Sequence, residues 1–240
     1  MNIVQMFVIA RRKINIARMC KVSFEAASKS LRSIRYLPLL FKYYEFTMVS
    51  AYNYWHNLLI VDDYRRVEGC VIECGVWRGG MAAGIAEVLG PKREYFLFDS
   101  FEGLPPATDL DGDAAKAWQK NTESTIYYDN CRAEIDFAER AMRMSGVPNH
   151  KIIKGWFDKT IPEFVPPCPI AVLRLDGDWY ESTIIVLEAL FKHLARDGVV
   201  IIDDYYTWDG CSRAVHDFLS HHKLPARVTQ KYGVCILQLR

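Results

Sequence analysis

One stretch, VIECGVWRGG at residues 71–80, limits the folds open to this chain more than any other. Val71 and Ile72 are β-branched and open an apolar strand, which Gly75, Gly79 and Gly80 then break. Met81, Ile85, Val88 and Leu89 follow at helical spacing, so the stretch reads as strand, glycine turn and helix. This is the first unit of nucleotide-binding α/β sheets, whose ligands sit outside the carboxyl ends of the strands. Glycine in such a turn tolerates unusual φ/ψ and lets a ligand come close to the main chain.

The polar residues of the turn discriminate between ligands. A dinucleotide enzyme prefers G-x-G-x-x-G, with a pyrophosphate on the helix N-terminus. Here the pattern is E-x-G-x-x-x-G-G, with Glu73 at the strand tip. A carboxylate there repels a pyrophosphate but suits a ligand with ammonium and sulfonium charges, which favours S-adenosylmethionine; the plain alternative is a structural turn. The next strand, EYFLFDS at residues 94–100, ends in Asp99, about twenty residues beyond the turn, where a carboxylate can accept both ribose hydroxyls of a nucleoside. S-adenosylmethionine and NAD share that feature, so Asp99 implies a nucleoside without choosing between them.

The 240 residues suit one large α/β domain, and a half-hydrophobic composition is ample for its core. With 30 basic and 29 acidic side chains, nothing argues for a nucleic-acid partner, and a small, roughly neutral ligand is expected. Seven cysteines without a C-x-x-C pair argue against a disulfide framework or a zinc knuckle. Arg11, Arg12 and Lys13 interrupt the early apolar run, so neither a secretory signal nor stable membrane insertion is expected, and the cytoplasm is the expected location. Residues 1–42 are strongly basic, with Glu25 the single acid. They read either as an amphipathic surface or targeting segment, or as a solvated helical arm that packs on the core or on a second subunit of a homo-oligomer. The expected organisation is a helical arm over residues 1–45 and a catalytic domain over 46–240.

Along that domain, the aromatic residues 41–66 read as core packing at helical spacing, with some rings available to the mouth of a pocket and His56 as a reserve base. Residues 103–130 read as a substrate-side lid with a short helix near 114–119. Asp109, Asp111 and Asp113 resemble the start of a calcium loop that lacks its closing glutamate. A helix is expected over 131–144 and a strand over 151–154. Asp158, beside Trp156 and Phe157, either holds an adenine or caps a helix turn. Apolar strands at 170–175 and 198–202, helices at 184–194 and 213–221, and a strand pair at 226–230 and 234–239 complete a β-then-α repeat. The fold class is α/β: a doubly wound, mostly parallel seven-stranded sheet with one antiparallel strand.

Asp176 and the pair Asp203–Asp204 stand at the carboxyl ends of two parallel strands, where ligands bind. Three converging carboxylates repel one another unless a cation lies between them, and hard oxygen donors without cysteine or histidine point to Mg²⁺. Such an ion can chelate two neighbouring hydroxyls and lower the pKa of one. Caps or salt bridges are the plain alternative. LRLDGDWYEST at residues 173–183 also resembles the D-x-D strand of haloacid-dehalogenase-type phosphatases, with Asp176 and Asp178 in the site. That strand normally opens such a chain, however, and here it lies past the two-thirds point.

Several stretches agree on one family. TMV at 47–49, IECGVWRGG at 72–80, DSFEGLP at 99–105, KGWFDKTIP at 154–162, LRLDGDWYEST at 173–183 and IIDDY at 201–205 resemble the macrocin O-methyltransferase (TylF-like) family, in its order. The resemblance implies an enzyme dependent on S-adenosylmethionine and Mg²⁺ that methylates a hydroxyl of a small molecule, typically on a sugar of a glycosylated natural product. It implies that Thr47, Met48, Glu73, Gly75 and Trp77 border the methionine end, that Asp99 and Ser100 hold ribose, and that Asp158 faces adenine. Asp176, Asp203 and Asp204 would bind the metal, with Asp176 also the general base. The distantly similar catechol methyltransferases carry a lysine base three residues after the first metal-binding aspartate; here that position is Trp179. An acidic base is therefore expected. A non-catalytic binder of S-adenosylmethionine is the remaining alternative.

Overall fold

The structure is a computed structural model that describes residues 34–124 and 126–239. The expectations for residues 1–33, and with them most of the basic arm, lie outside the described residues. Seven strands, β1 (Cys70–Cys74), β2 (Tyr95–Asp99), β3 (His150–Lys154), β4 (Ile170–Leu175), β5 (Leu194–Ile202), β6 (Ala226–Lys231) and β7 (Val234–Leu239), form one sheet of order β3-β2-β1-β4-β5-β7-β6. β7 is antiparallel to both its neighbours and the other pairings are parallel, as the β-then-α repeat predicts.

Every residue of β1 and β4 is buried, because helices cover both faces of the sheet. Strands in that position read as nearly unbroken apolar runs rather than alternating ones. The exceptions are Glu73 on β1 and Arg174 on β4, and they are register partners. Two charged side chains paired in the middle of a parallel sheet mark where packing gives way to chemistry.

Among the described residues, helices α1 (Leu37–Lys42), α2 (Ala51–Asp63), α3 (Gly80–Leu89), α4 (Gly112–Lys120), α5 (Ile135–Ser145), α6 (Phe157–Thr160), α7 (Tyr180–Leu190) and α8 (Asp209–His221) accompany the sheet. One apolar cluster joins α2, α3 and α5 to Val71, Leu97, Val172 and Ile201; the other joins α7 and α8 to Ile72, Phe98, Leu173 and Ile202. Successive strand residues thus point to opposite layers. Tyr36, Leu40 and Tyr43 enter the first cluster beside Phe46, so residues 34–45 pack on the domain with no break at 45. Among the aromatic residues of α2, Tyr54 and Trp55 are fully buried, which bears out the core reading. His56 is equally buried, its ring stacked on Tyr232 and edge-on to Tyr52, not in the cavity described below.

Two boundaries differ from expectation. α5 starts at Ile135 rather than at residue 131, because Tyr128, Asp129, Asn130 and Cys131 all have left-handed backbone, with φ of 51–62°. Such conformations cost roughly 1–2 kcal/mol per residue outside glycine, and Asp and Asn tolerate them best. This turn is held by Asn130, whose Nδ2 donates to Leu104 O at 2.7 Å and whose carbonyl accepts from Leu104 N at 2.9 Å. α8 starts at Asp209, four residues before Arg213, because Gly210 and Ser212 are weak helix formers recruited by packing. A Cβ on Gly210 would lie 2.3 Å from Asp111 Oδ1.

That close approach fastens residues 103–124 to α7 and α8. Asp111 accepts from Thr108 N at 2.7 Å and from Tyr180 N, the first residue of α7, at 2.7 Å. No helix among the described residues is long and apolar enough to cross a membrane.

Candidate active site

A cavity opens over the carboxyl ends of β1, β2, β4 and β5, where the strand order reverses on either side of β1. That reversal is the usual ligand position in a doubly wound sheet. Thr47, Met48, Glu73, Gly75 and Trp77 line it, as do Asp99, Ser100, Asp176, Asp203 and Asp204. Asp158 does not. α6 begins at Phe157 and leaves the Asp158 carboxylate half exposed beside Lys159 Nζ, at 2.9 Å; only its neighbours Trp156 and Phe157 reach the cavity.

The glycine turn is shaped first by the protein itself. Gly75 has φ of 90°, and a Cβ there would lie 1.7 Å from the Asp176 carbonyl oxygen, while Asp176 N donates to Cys74 O at 2.8 Å. Glycine is thus demanded by the adjoining end of β4, a reason that close approach of a ligand does not supply. Asp99 holds the other side of the turn. Its Oδ2 accepts from Val76 N at 2.7 Å and Trp77 N at 2.8 Å, and its Oδ1 from Phe101 N at 2.7 Å. Burial raises the Asp99 pKa, and these three amides pull against it. Oδ1 keeps a further lone pair for a ligand, whereas the two amides take both lone-pair sites of Oδ2. Ser100 Oγ accepts from Glu102 N at 3.0 Å and donates to Gly103 O at 3.2 Å, and Thr47 Oγ1 accepts from Val49 N at 3.1 Å.

Deeper in, Arg174 is fully buried. Its Nη1 donates to Glu73 Oε1 and Asp176 Oδ2, both at 2.7 Å, and its Nη2 lies 2.7 Å from Asp203 Oδ1. One guanidinium therefore ties together β1, the end of β4 and the end of β5. Burial pushes the Glu73 carboxyl up to about 8, against the opposing pull of Arg174. Its second oxygen, Oε2, is buried without a protein partner among the described residues.

The acidic group differs from the expected one. Asp176, Asp178 and Asp204 are the residues whose carboxylate oxygens all lie within 4.8 Å of one another. Asp203 is not among them, because it continues the side of β5 that carries Ile201 and faces Arg174, whereas Asp204 takes the opposite side. Asp178 joins through left-handed backbone, φ 58°, with its N–H donating to Asp204 Oδ2 at 3.0 Å and its Oδ1 accepting from Trp208 Nε1 at 2.9 Å. Burial and then the charge of Asp176 push Asp178 up to about 7. Asp203 rises to about 6, by burial against the pull of Arg174, and Asp204 is raised too, by burial and then the charge of Asp178. Three carboxylates, Glu73, Asp176 and Asp203, thus meet one guanidinium, and Asp178 and Asp204 crowd against Asp176, so protons or a cation must meet the excess charge.

Arg174 and the tryptophan side of the cavity escaped the sequence reading. An arginine inside an otherwise apolar strand was the available signal for the first, and the Asp129–Asn130 pair was the signal for the turn at 128–131.

The profile of the macrocin-O-methyltransferase (TylF) family matches residues 51–237. The chain belongs to this family. It is 34% identical over 175 residues to 8-demethyl-8-(2,3-dimethoxy-alpha-L-rhamnosyl)-tetracenomycin-C 4'-O-methyltransferase of Streptomyces olivaceus, covering 70% of this chain and 64% of that protein. To mycinamicin III 3''-O-methyltransferase of Micromonospora griseorubida it is 33% identical, covering 68% and 65%. The chain thus spans less than two thirds of the length of these relatives. Among solved structures, the O-methyltransferase NovP superposes with a TM-score of 0.65 at 28% identity, over 81% of this chain and 82% of that one. CalS11, a calicheamicin methyltransferase, gives 0.62 at 20% identity, over 93% and 91%, a likeness of fold. The TylF sheet is that of class I S-adenosylmethionine-dependent methyltransferases. The D-x-D residues follow β4, fourth in the chain and beside β1, so the phosphatase alternative has neither its strand position nor its family.

Proposed function

We propose that this TylF-family protein is an S-adenosylmethionine-dependent O-methyltransferase that acts, with Mg²⁺, on a hydroxyl of a sugar carried by a small molecule. The observation that carries this reading is the content of one cavity at the switch point. It holds a buried carboxylate oxygen awaiting a donor (Glu73 Oε2), a nucleoside acceptor (Asp99) and an all-oxygen cation set (Asp176, Asp178, Asp204). The names of two TylF relatives, methyltransferases of a rhamnosyl-tetracenomycin and of mycinamicin III, supply the substrate class.

The residues fit both groups. Glu73 Oε2 suits an α-ammonium donor, and a carboxylate-only set suits a hard divalent ion. Bound S-adenosylmethionine supplies an electrophilic methyl group, and bound Mg²⁺ supplies charge that makes an acceptor hydroxyl easier to ionise. Glu73, with Thr47, Met48, Gly75 and Trp77 around it, holds the methionine end. Asp99 and Ser100 take the ribose, and the rings of Trp156 and Phe157, rather than Asp158, wall the adenine. Asp176, Asp178 and Asp204 hold the ion, and Asp203 keeps Arg174 in place. Arg174 grips Asp176 by Oδ2, which leaves Oδ1 to take the proton of the acceptor hydroxyl. A general base of this kind contributes roughly 10²–10⁴-fold, and near-attack positioning of the two substrates supplies more.

The test is calorimetric titration of metal-stripped protein with S-adenosylmethionine. Binding that is lost in Asp99→Ala supports the reading, and absence of binding with and without Mg²⁺ overturns it. Methylation of rhamnosides in the presence of Mg²⁺ then tests the acceptor class.

A further inference from the structure

We infer that Trp118 and Trp208 form the wall that receives the sugar ring of the acceptor, with its apolar C–H face on the indoles and its hydroxyl rim toward Asp178 and Asp204. The inference rests on the methyltransferase reading above and specifies its acceptor subsite. Three indoles pack edge to face around one another: Trp118–Trp179 at 6.2 Å, Trp118–Trp208 at 6.0 Å and Trp179–Trp208 at 5.2 Å between centroids. Trp179 is the buried member, its N–H donating to Pro105 O at 2.9 Å. Trp118 and Trp208 are the partly exposed members, and both line the cavity.

The polar atom of each lining indole is already engaged by the protein. Trp118 Nε1 donates to Ile126 O at 3.3 Å, and Trp208 Nε1 donates to Asp178 Oδ1 at 2.9 Å. What remains for a ligand is carbon surface. The wall is also stiff: Gln119, next to Trp118 on α4, donates from Nε2 to Pro105 O at 2.8 Å and to Asn130 Oδ1 at 3.1 Å. Rigid aromatic surface binds at low entropic cost and selects for shape.

Position narrows the ligand class. The Trp208–Asp178 hydrogen bond sets the carbon wall one bond away from the acidic group, so a molecule lying on the wall presents its edge to carboxylates. A wholly apolar ligand offers no oxygen to the acidic group and the ion it would hold, and a wholly polar one leaves the indoles without contacts. A pyranose satisfies both, having an apolar face of axial C–H bonds and a rim of hydroxyl donors.

The experiment is saturation-transfer NMR with methyl α-L-rhamnopyranoside on the full chain loaded with S-adenosylhomocysteine and Mg²⁺. Wild type should transfer saturation to the ring and methyl protons of the sugar. Trp118→Ala should lose about tenfold in sugar affinity, and Trp118→Phe should retain most of it. Calorimetric affinity for S-adenosylhomocysteine should stay within about twofold in both. An unchanged sugar signal in Trp118→Ala, or none in loaded wild type, overturns the wall. If Trp118→Ala does not fold, Trp118→Leu puts the same question with a branched apolar side chain. Wild type that fails to bind S-adenosylhomocysteine overturns the methyltransferase reading and this inference with it, and calorimetry registers that failure before sugar is added.

Discussion

Asp99 and the acidic group at the ends of β4 and β5 stand on the same edge of the same sheet, yet the protein treats them in opposite ways. Asp99 receives three backbone N–H groups at 2.7–2.8 Å, which meet its charge and fix the glycine turn before any ligand arrives. Glu73, Asp176 and Asp203 share one guanidinium, while Asp178 accepts from one indole N–H and Asp204 from one backbone N–H. The half of the cavity proposed for the nucleoside is finished by the chain's own main-chain donors. The half proposed for catalysis is left with negative charge that only protons or a cation can satisfy.

The strongest attempt to break this division is Asp176→Asn. Methyl transfer should fall by roughly 10²–10⁴-fold, while calorimetric affinity for S-adenosylmethionine moves by less than about threefold. A parallel loss of both would mean the two halves act as one. Next is Arg174→Met, which strands three carboxylates around an apolar side chain. Urea unfolding should show a loss of about 3–5 kcal/mol, smaller in Arg174→Lys. A negligible loss would show that protons already neutralise the group.

A sharper question is which aspartates would hold the proposed ion. Mn²⁺ affinity, read by electron paramagnetic resonance, should fall at least about tenfold in Asp178→Asn and less in Asp203→Asn. The reverse ranking would show that Asp203 leaves Arg174 for the ion. On the nucleoside side, Asp99→Ala orphans three N–H groups and should cost about 1–3 kcal/mol of stability; a neutral result would place the turn's rigidity elsewhere.

The smallest effect concerns pH. Burial raises the Glu73 carboxyl from its ordinary 4.5 to about 8, so the folded state holds this proton more tightly than the unfolded chain. Its contribution is complete below 4.5 and is lost as pH rises through 8. Glu73→Gln cannot titrate, so in metal-free protein its melting temperature relative to wild type should rise across that window. A flat difference would show that Arg174 keeps Glu73 ionised throughout.

Much of the frame was legible because its signals are local. The strand at 71, the break at Gly75, the strand ending in Asp99 and the apolar run at 170–175 each carry their period within a few residues. The differences between expectation and structure have a different cause. Asp158 was placed by its aromatic neighbours, but the start of α6 at Phe157 turns it to Lys159. Asp203 was grouped with Asp204 by adjacency, although neighbours on a strand face opposite layers. The helix expected from residue 131 gave way to a left-handed turn that depends on Leu104, far away in the chain.

By itself the sequence determined the strands, the β-then-α order, the glycine turn and the family, because periodicity and motif order are properties of the chain. Tertiary structure alone decided that Asp178 rather than Asp203 faces Asp176 and Asp204, that Arg174 stands among the carboxylates, and that Trp118, Trp179 and Trp208 meet. The physical reason is register. A shift of one residue in a strand sends every side chain to the other face, and only packing against neighbouring strands and helices selects which shift is realised.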